Sequence, residues 1–209
     1  TEYSRFEETI SSIARIGGFE NIADLLWENE MEMVDQDFID ANLIYVEEEG
    51  LDSRVSRRED EHYEPVMEGG MTLSCRDEGV PEKDPNRCVG PAQIRPLIID
   101  SFTEGATGEG EHKVEAAKAE AALLWFLYVS TYKEATTCAA KAKDCDSSFA
   151  YYGGGEQKDG GLGLARYFRN STRGITARSS NGEVAEYLKL ELADAIVRAT
   201  EIIRQRVDR

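Results

Sequence analysis

Two cysteines seven positions apart, Cys138 and Cys145, are the strongest constraint on how this chain can fold. On one continuous helix their Cα atoms would stand about 10 Å apart. A disulfide requires a Cα separation of roughly 4.4–6.8 Å, so a helix that carries both cysteines must break between them, near residues 141–144. The spacing predicts a helix–turn–helix corner closed by a Cys138–Cys145 disulfide.

The other two cysteines, Cys75 and Cys88, bracket a stretch rich in glycine, proline and charge. A disulfide between them would remove roughly 3 kcal/mol of loop entropy from the unfolded chain. The alternatives are a zinc site, which neither the spacing nor the distant histidines favour, and free thiols. Two disulfides predict an extracellular or periplasmic protein. Asn170, in an N-x-[ST] triplet, would accept a glycan only in a eukaryotic secretory pathway.

Apolar residues recur at helical spacing along most of the chain, and no segment has a convincing strand pattern. The segment at residues 114–135 is apolar on all sides and is expected to be central and buried. The sequence predicts an all-α fold: an up-and-down helical bundle with a long disulfide-closed loop at residues 69–91. The predicted helices span residues 2–16 (ending at Gly17-Gly18), 20–49, 52–68, 92–102, 114–135, 147–152, 162–168 and 183–207.

The formal net charge of −17 is concentrated near the start of the chain. Residues 1–70 hold 20 acidic and 5 basic residues, whereas residues 71–209 hold 21 and 19. Because an acidic surface repels phosphate, we expect no nucleic-acid partner. The acidic region can attract cations or a basic protein, or it can simply keep the chain soluble.

The length of 209 residues favours a single helical domain, within which residues 1–70 form an acidic subregion. No apolar run approaches the roughly 18 residues that a membrane span requires. Motifs of common catalytic chemistry are also missing. The glycine-rich segments lack the lysine of a phosphate-binding loop, and neither histidine lies near a nucleophile in sequence. We therefore expect a protein that is not an enzyme.

Both histidines lie beside carboxylates that suit a metal ion. His62 follows Glu59 within a dense acidic cluster, which suits iron, manganese, zinc or calcium. His112 and Glu115 are three positions apart on one helix face, so both can reach one ion. The alternatives are a solvated acidic turn at His62 and, at His112, the start of a helix where the helix dipole favours acids.

Tyr132 and Glu134 form a third candidate metal site late in the central helical segment. Phenolate and carboxylate oxygens are hard ligands of the kind that Fe³⁺ prefers. The alternative is an ordinary core tyrosine whose hydroxyl finds a polar partner.

Two segments taken together resemble a known family. The first runs from Tyr132-Lys133-Glu134-Ala135 through Cys138 to residues 145–154, and the second covers residues 164–170. Their order is similar to that of secreted algal iron-assimilation proteins and their imelysin-like relatives. Those proteins carry an H-E pair on a helix, a corner, a W-D-E-A-x-A-F-Y-x-G segment and an L-A-x-x-R stretch. Here the H-E pair reads Lys133-Glu134, and residues 145–148 keep the W-D-E-A segment only in part.

The resemblance covers residues 92–205, about half the chain. The pattern Gly110-x-His112-x-x-Glu115 also resembles the G-x-H-x-x-E metal motif that begins a helix in imelysins. The resemblance implies a secreted or periplasmic binding protein that binds or takes up iron, or another divalent or trivalent metal, without turnover. The alternative is an extracellular structural or protein-interaction module with neither ligand nor catalysis.

Overall fold

The computed structural model describes residues 5–7, 9–28, 32–47, 50–154 and 162–170, with side chains up to Arg166. These residues are mostly helical and include one two-stranded sheet. The predicted all-α fold is confirmed. The predicted helix at residues 183–207 lies outside the described residues. No helix in the described ranges has the length and apolar character needed to cross a membrane.

The chain divides into two compact units, which are described separately. The central unit is Gly17–Val129, and the terminal unit joins Thr1–Ile16 to Ser130–Arg209. The boundaries fall within helix α1 (Ser11–Leu26) and helix α6 (His112–Thr137). The predicted single domain, with its acidic subregion at residues 1–70, stays a prediction.

The remaining described elements are short helices and one hairpin. The central unit contains, in chain order, α2 (Asp35–Glu47), α3 (Leu51–Val55), β1 (Met67–Glu68), β2 (Met71–Thr72), α4 (Val80–Lys83), a π-helical turn (Gly90–Ile94) and α5 (Arg95–Thr107). The terminal unit contains α7 (Ala142–Gly153) and α8 (Gly163–Asn170).

Helices α2 and α5 pack against each other within the central unit. Phe38, Ala41 and Tyr45 recur at helical spacing on α2 and are completely buried. The Tyr45 ring meets the Phe102 ring of α5 edge-on, with centroids 5.9 Å apart. Gly105 of α5 lies directly against the Phe38 ring, and a Cβ at this position would overlap the ring carbons. The absence of a side chain at Gly105 therefore allows α2 to approach α5 closely.

Helix α1 lies further along the chain than predicted, because it begins at Ser11 rather than residue 2 and the expected stop at Gly17-Gly18 is wrong. The helix continues through both glycines and ends at Leu26. Phe19 and Ile22, which follow the glycines, are completely buried. Burial of each such side chain contributes about 1.5–3 kcal/mol. That gain outweighs the cost of about 1 kcal/mol for each glycine within a helix.

The predicted helix at residues 20–49 is also divided, since α1 ends at Leu26 and α2 begins at Asp35. The Asp37 carboxylate accepts a hydrogen bond from the backbone N–H of Val34 at 2.9 Å. This contact is half of a capping box, in which the third helical residue binds back to the N-cap. It stabilises a new helix start that the apolar periodicity does not reveal.

The predicted helix at residues 52–68 is wrong beyond Val55, where α3 ends. Strands β1 and β2 form an antiparallel hairpin, with Met67 opposite Thr72. Gly69 and Gly70 make its two-residue turn, with φ angles of 59° and 82°. Two successive positive φ angles are the requirement of a type I′ turn, which glycine meets without steric cost.

Both predicted disulfides are present, between Cys75 and Cys88 and between Cys138 and Cys145. Their Cα separations are 5.3 Å and 4.5 Å. No cysteine is free, so the zinc and free-thiol alternatives are wrong. The break between α6 and α7 lies at residues 138–141, slightly before the predicted position. The predicted corner is confirmed.

In the terminal unit, a buried carboxylate of α7 anchors the beginning of the chain. Asp146 is completely buried and accepts hydrogen bonds from the backbone N–H groups of Phe6 and Glu7, at 2.8–3.1 Å. The Ser148 hydroxyl donates to the Thr131 carbonyl of α6 at 3.0 Å. Helix α7 is therefore tied to two distant parts of the chain by polar contacts.

Replacing Gly105 by alanine should destabilise the protein, even though alanine favours a helix by about 1 kcal/mol. The added methyl group would overlap the Phe38 ring, and overpacking of this kind costs about 1–3 kcal/mol. We expect Gly105→Ala to lower the urea midpoint and Phe38→Leu to restore part of the loss. The matched control is Gly17→Ala in α1, where an added Cβ meets no atom within 4 Å; it should raise the midpoint. An increase with Gly105→Ala would contradict the close packing of α2 and α5.

Candidate functional site

Helix α2 is apolar on two opposite sides. Its buried side faces α5, and its other side carries Ile39, Leu43 and Val46, which are 42%, 45% and 42% exposed. These residues are spaced four and three positions apart, so they form one row along two helical turns. We call this row, together with the acidic residues beside it, the α2 outer face. It presents adjacent large apolar side chains to solvent.

The acidic residues beside the row are Asp35, Asp40 and Glu47. They lie on the same solvent-facing half of α2, because side chains advance by about 100° per residue around a helix. Asp40 accepts a hydrogen bond from Gln36 at 2.8 Å. Residues 16–53, which include all of α2, contain twelve acidic residues and no lysine, arginine or histidine. The sequence around the row therefore supplies only negative charge.

The helical periodicity at residues 20–49 predicted a helix but did not reveal the outer face. The three exposed residues do repeat with the period of a helix, so the signal is present. Periodicity alone does not separate a broad buried face from two opposite faces. To distinguish these two cases, the position of α5 must be known, and it follows only from the fold.

His112, the first residue of α6, lies beside the start of α2. Its Nε2 is 2.8 Å from Oδ1 of Asp35. The imidazole also stacks on the Phe38 ring, with centroids 5.3 Å apart and an angle of 29° between the rings. His112 thus connects the beginnings of α6 and α2 within the central unit.

Glu115 occupies a different environment from His112, although both were predicted to bind one ion. Its side chain is almost completely buried and lies where a Cβ of Gly110 would be. Oε1 accepts a hydrogen bond from Lys118 at 2.9 Å, and Oε2 has no hydrogen-bond partner among the described residues. Hydrogen bonds to Glu115 and to Glu104 raise the pKa of Lys118. Glu115 is thus engaged by an ammonium group, and His112 is engaged by Asp35.

The predicted acidic cluster at Glu59 is organised around a buried arginine. Arg87 is 7% exposed and donates hydrogen bonds to Glu59 at 2.7 Å and to Glu61 at 3.1 Å. It also donates to the backbone carbonyls of Asp60 and Tyr63 at 3.0 Å and 2.9 Å. Burial lowers the pKa of Arg87, but the charge of Glu61 and the hydrogen bonds to both carboxylates give a net increase. The carboxylates of Glu59 and Glu61 therefore pair with a buried cation, whereas residues 62–64 of the same turn are exposed.

His62, in the same loop, also contacts protein groups. Its Nδ1 is 2.7 Å from Oδ1 of Asp60, and its Nε2 is 3.5 Å from the Tyr128 hydroxyl. The imidazole and the Tyr128 ring are nearly parallel, with centroids 6.0 Å apart. Glu59 and His62 therefore have separate partners, an arginine and an aspartate.

The third predicted metal pair, Tyr132 and Glu134, lies in the terminal unit. Tyr132 is half-buried, and Glu134 is buried with Oε1 3.4 Å from Lys133. Across the part of the chain that the structure describes, no three His, Cys, Asp or Glu side chains form a group that could hold a metal ion. Metal binding at the six predicted residues stays a prediction.

Asn170, the predicted glycan acceptor, is the last residue of α8. Only its backbone is described, so glycosylation also stays a prediction.

No protein-family model matches this chain, and no solved structure matches it. An alignment of 82 residues is 45% identical to part of the protein translocase subunit SecD of Rhodothermus marinus. The alignment covers 38% of this chain and 13% of SecD, so the chain spans a small part of that relative. The likeness to imelysin-like proteins stays a prediction.

Replacing Arg87 by methionine should lower the free energy of unfolding by about 2 kcal/mol, the scale of hydrogen bonds to charged groups. The loss is smaller than for a fully buried pair, because Glu59 and Glu61 remain about 30% exposed. The matched control is Arg95→Met, which removes the exposed Arg95–Asp52 pair and should cost less than about 1 kcal/mol. Equal losses in urea unfolding would show that Arg87 does not organise the acidic loop, residues 59–63.

Proposed function

We propose that this chain is a non-catalytic protein-interaction module and that the α2 outer face is its binding surface. The observation that carries this proposal is the exposed row of Ile39, Leu43 and Val46 on a helix whose opposite side is already buried. Single exposed apolar residues are common on protein surfaces. A row at helical spacing, bordered by charge, is the pattern by which amphipathic helices recognise their partners.

Association has a clear driving force at this surface. Burial of apolar area contributes about 25 cal/mol per Å², and the outer face leaves such area in contact with water. A partner that covers the row gains this term without any rearrangement of the core, because Phe38 and Tyr45 stay packed against α5. The surface is thus built in advance, which lowers the cost of binding.

The surroundings of the two histidines favour binding over catalysis. His112 contacts Asp35 and Phe38, while His62 contacts Asp60. A general base needs a nitrogen within hydrogen-bond reach of the group that it deprotonates. Neither histidine has such a nucleophile beside it in the sequence, so we infer a role without turnover.

Location outside the cytoplasm, in an extracellular or periplasmic space, is part of the proposal. Disulfides form and persist mainly in such oxidising compartments. The relative with the similar 82-residue stretch is a subunit of a translocase. Since a subunit works in contact with other proteins, this likeness supports a role in protein binding for the shared stretch.

Iron binding of the imelysin-like kind is the second candidate function. It is favoured by the buried Glu115, which takes the place of the glutamate in the family's metal motif and keeps one oxygen without a hydrogen bond among the described residues. Both residues of the motif already have protein partners, however. His112 is bound to Asp35 and Glu115 to Lys118, whereas protein-bound metal ions usually have four or more ligands.

The variant Ile39→Ser, Leu43→Ser, Val46→Ser, called here the outer-face variant, should keep nearly the stability of the wild type. Exposed substitutions usually change the free energy of unfolding by less than about 0.5 kcal/mol each. The matched core variant Phe38→Ser should lose more than about 3 kcal/mol. Urea unfolding of both variants measures the difference. A loss with the outer-face variant as large as with Phe38→Ser would mean that the row serves the fold and would refute the binding proposal.

Binding itself is tested by a photo-reactive amino acid at position 43, in the cells that produce the protein. We expect a discrete cross-linked product from this position. The control is Leu97 on α5, which is exposed to a similar extent, 44% against 45%, and lies outside the row. Equal yields from both positions, or no product from position 43, would contradict a binding surface on α2.

The metal candidate is tested by calorimetric titration of the wild type with Fe³⁺, Zn²⁺ and Ca²⁺. The interaction proposal expects no saturable binding at micromolar metal concentrations. Binding by the wild type that is lost in His112→Ala and kept in His62→Ala would instead establish the imelysin-like metal function.

A further inference from the structure

We infer that the partner of the α2 outer face is a basic amphipathic helix. This inference rests on the proposed function and adds the chemistry of the partner. The apolar row determines the shape of the partner, and the charge around the row determines the sign of the partner's charge. Each of these two requirements is carried by a separate observation on α2.

The charge requirement follows from the stretch at residues 16–53, with its twelve acidic residues and no basic ones. Asp40 and Glu47 lie beside the row on α2, and Asp35 at its beginning is 2.8 Å from His112. Carboxylates next to an apolar row attract lysine or arginine on the partner and repel acidic groups. An acidic peptide or an anionic lipid surface would meet the same repulsion.

The shape requirement follows from the length of the row. From position 39 to position 46 a helix rises about 10.5 Å, or two turns. Helices pack side by side at about 8–10 Å, so a partner helix with apolar residues at helical spacing can cover the row. A single helix on two exposed turns makes an interface at the small end of the known range. We therefore expect affinity in the micromolar range rather than the nanomolar range.

A second copy of this chain is disfavoured as the occupant by the same charges. Contact between two outer faces would bring Asp35, Asp40 and Glu47 of one copy close to those of the other. Like charges in direct opposition across an interface are destabilising. The acidic stretch thus permits binding of a basic helix and opposes self-association through the same row.

The test uses fluorescence anisotropy with the whole chain and three labelled synthetic peptides of about 18 residues, long enough for five helical turns. The first contains lysine and leucine with the leucines on one helix face. The second has the same composition in an order without an apolar face. The third replaces each lysine of the first by glutamate. The outer-face variant has the same net charge as the wild type, so it separates apolar contact from general electrostatic attraction.

We expect the amphipathic lysine–leucine peptide to bind with micromolar affinity, and the other two peptides to bind at least about tenfold more weakly, a difference of 1.4 kcal/mol. The outer-face variant should lose at least about tenfold in affinity for the first peptide. Asp40→Asn with Glu47→Gln should also weaken this binding. The control pair Glu82→Gln with Asp84→Asn, on exposed residues at and just after α4, makes the same change in net charge and should leave binding nearly unchanged.

Two outcomes separate the failure of this inference from the failure of the proposed function. If the glutamate–leucine peptide binds as tightly as the lysine–leucine peptide, and both are lost in the outer-face variant, the surface binds helices but the charge inference is wrong. If the lysine–leucine peptide binds the wild type and the outer-face variant equally, the inferred site is wrong. A wild-type dimer in sedimentation that the outer-face variant abolishes would show that the occupant is a second copy.

Discussion

The position of Phe38 determines which side of α2 meets solvent. Its ring is completely buried, lies against Gly105 of α5 and stacks with the imidazole of His112. These contacts come from α5 and α6, both of which are distant from α2 in sequence. Helix α2 therefore cannot rotate about its axis without losing both contacts. Ile39, the next residue, is consequently directed outward, together with the residues one and two turns further along. The core contact and the exposed row are two consequences of one packing arrangement.

The acidic loop depends on a different kind of interaction. It has little apolar material of its own, and Arg87 holds it through two carboxylates and two backbone carbonyls. Cys88, the next residue, forms the disulfide to Cys75, which packs with Val80 in a small apolar cluster. Ion pairs and a disulfide thus hold this loop in place of a large apolar core. The carboxylates that suggested a metal site in the sequence pair with a buried guanidinium.

Local signals in the sequence predicted much of the fold. The spacing of Cys138 and Cys145 predicts the corner, because helix geometry and disulfide geometry are both fixed and incompatible over seven residues. The long apolar period predicts α6 to within two residues at each end. The two-residue strands of the hairpin were missed, because they are too short to show a period. The continuation of α1 through Gly17-Gly18 was missed because tertiary burial decides it.

The candidate sites were harder to predict than the helices, because their partners are distant in the chain. His112 contacts Asp35, which is 77 positions away, and Arg87 reaches Glu59 across 28 positions. A motif such as Gly110-x-His112-x-x-Glu115 fixes local spacing but does not reveal which of these groups is already neutralised. In this chain Gly110 leaves room for the Glu115 side chain. The three residues lie at the beginning of α6, where His112 contacts Asp35 and Glu115 contacts Lys118.

An exposed apolar row on a strongly acidic chain combines two properties that have opposite effects on association between copies of the chain. Apolar rows promote aggregation, because they gain free energy from any other apolar surface. A net charge of −17 opposes contact between copies at long range, while the apolar gain acts only at contact. A partner with the opposite charge experiences attraction at both distances. The charge around α2 therefore determines which partners can bind the apolar row. It leaves the apolar contribution to binding unchanged, and it repels acidic molecules before they reach the row.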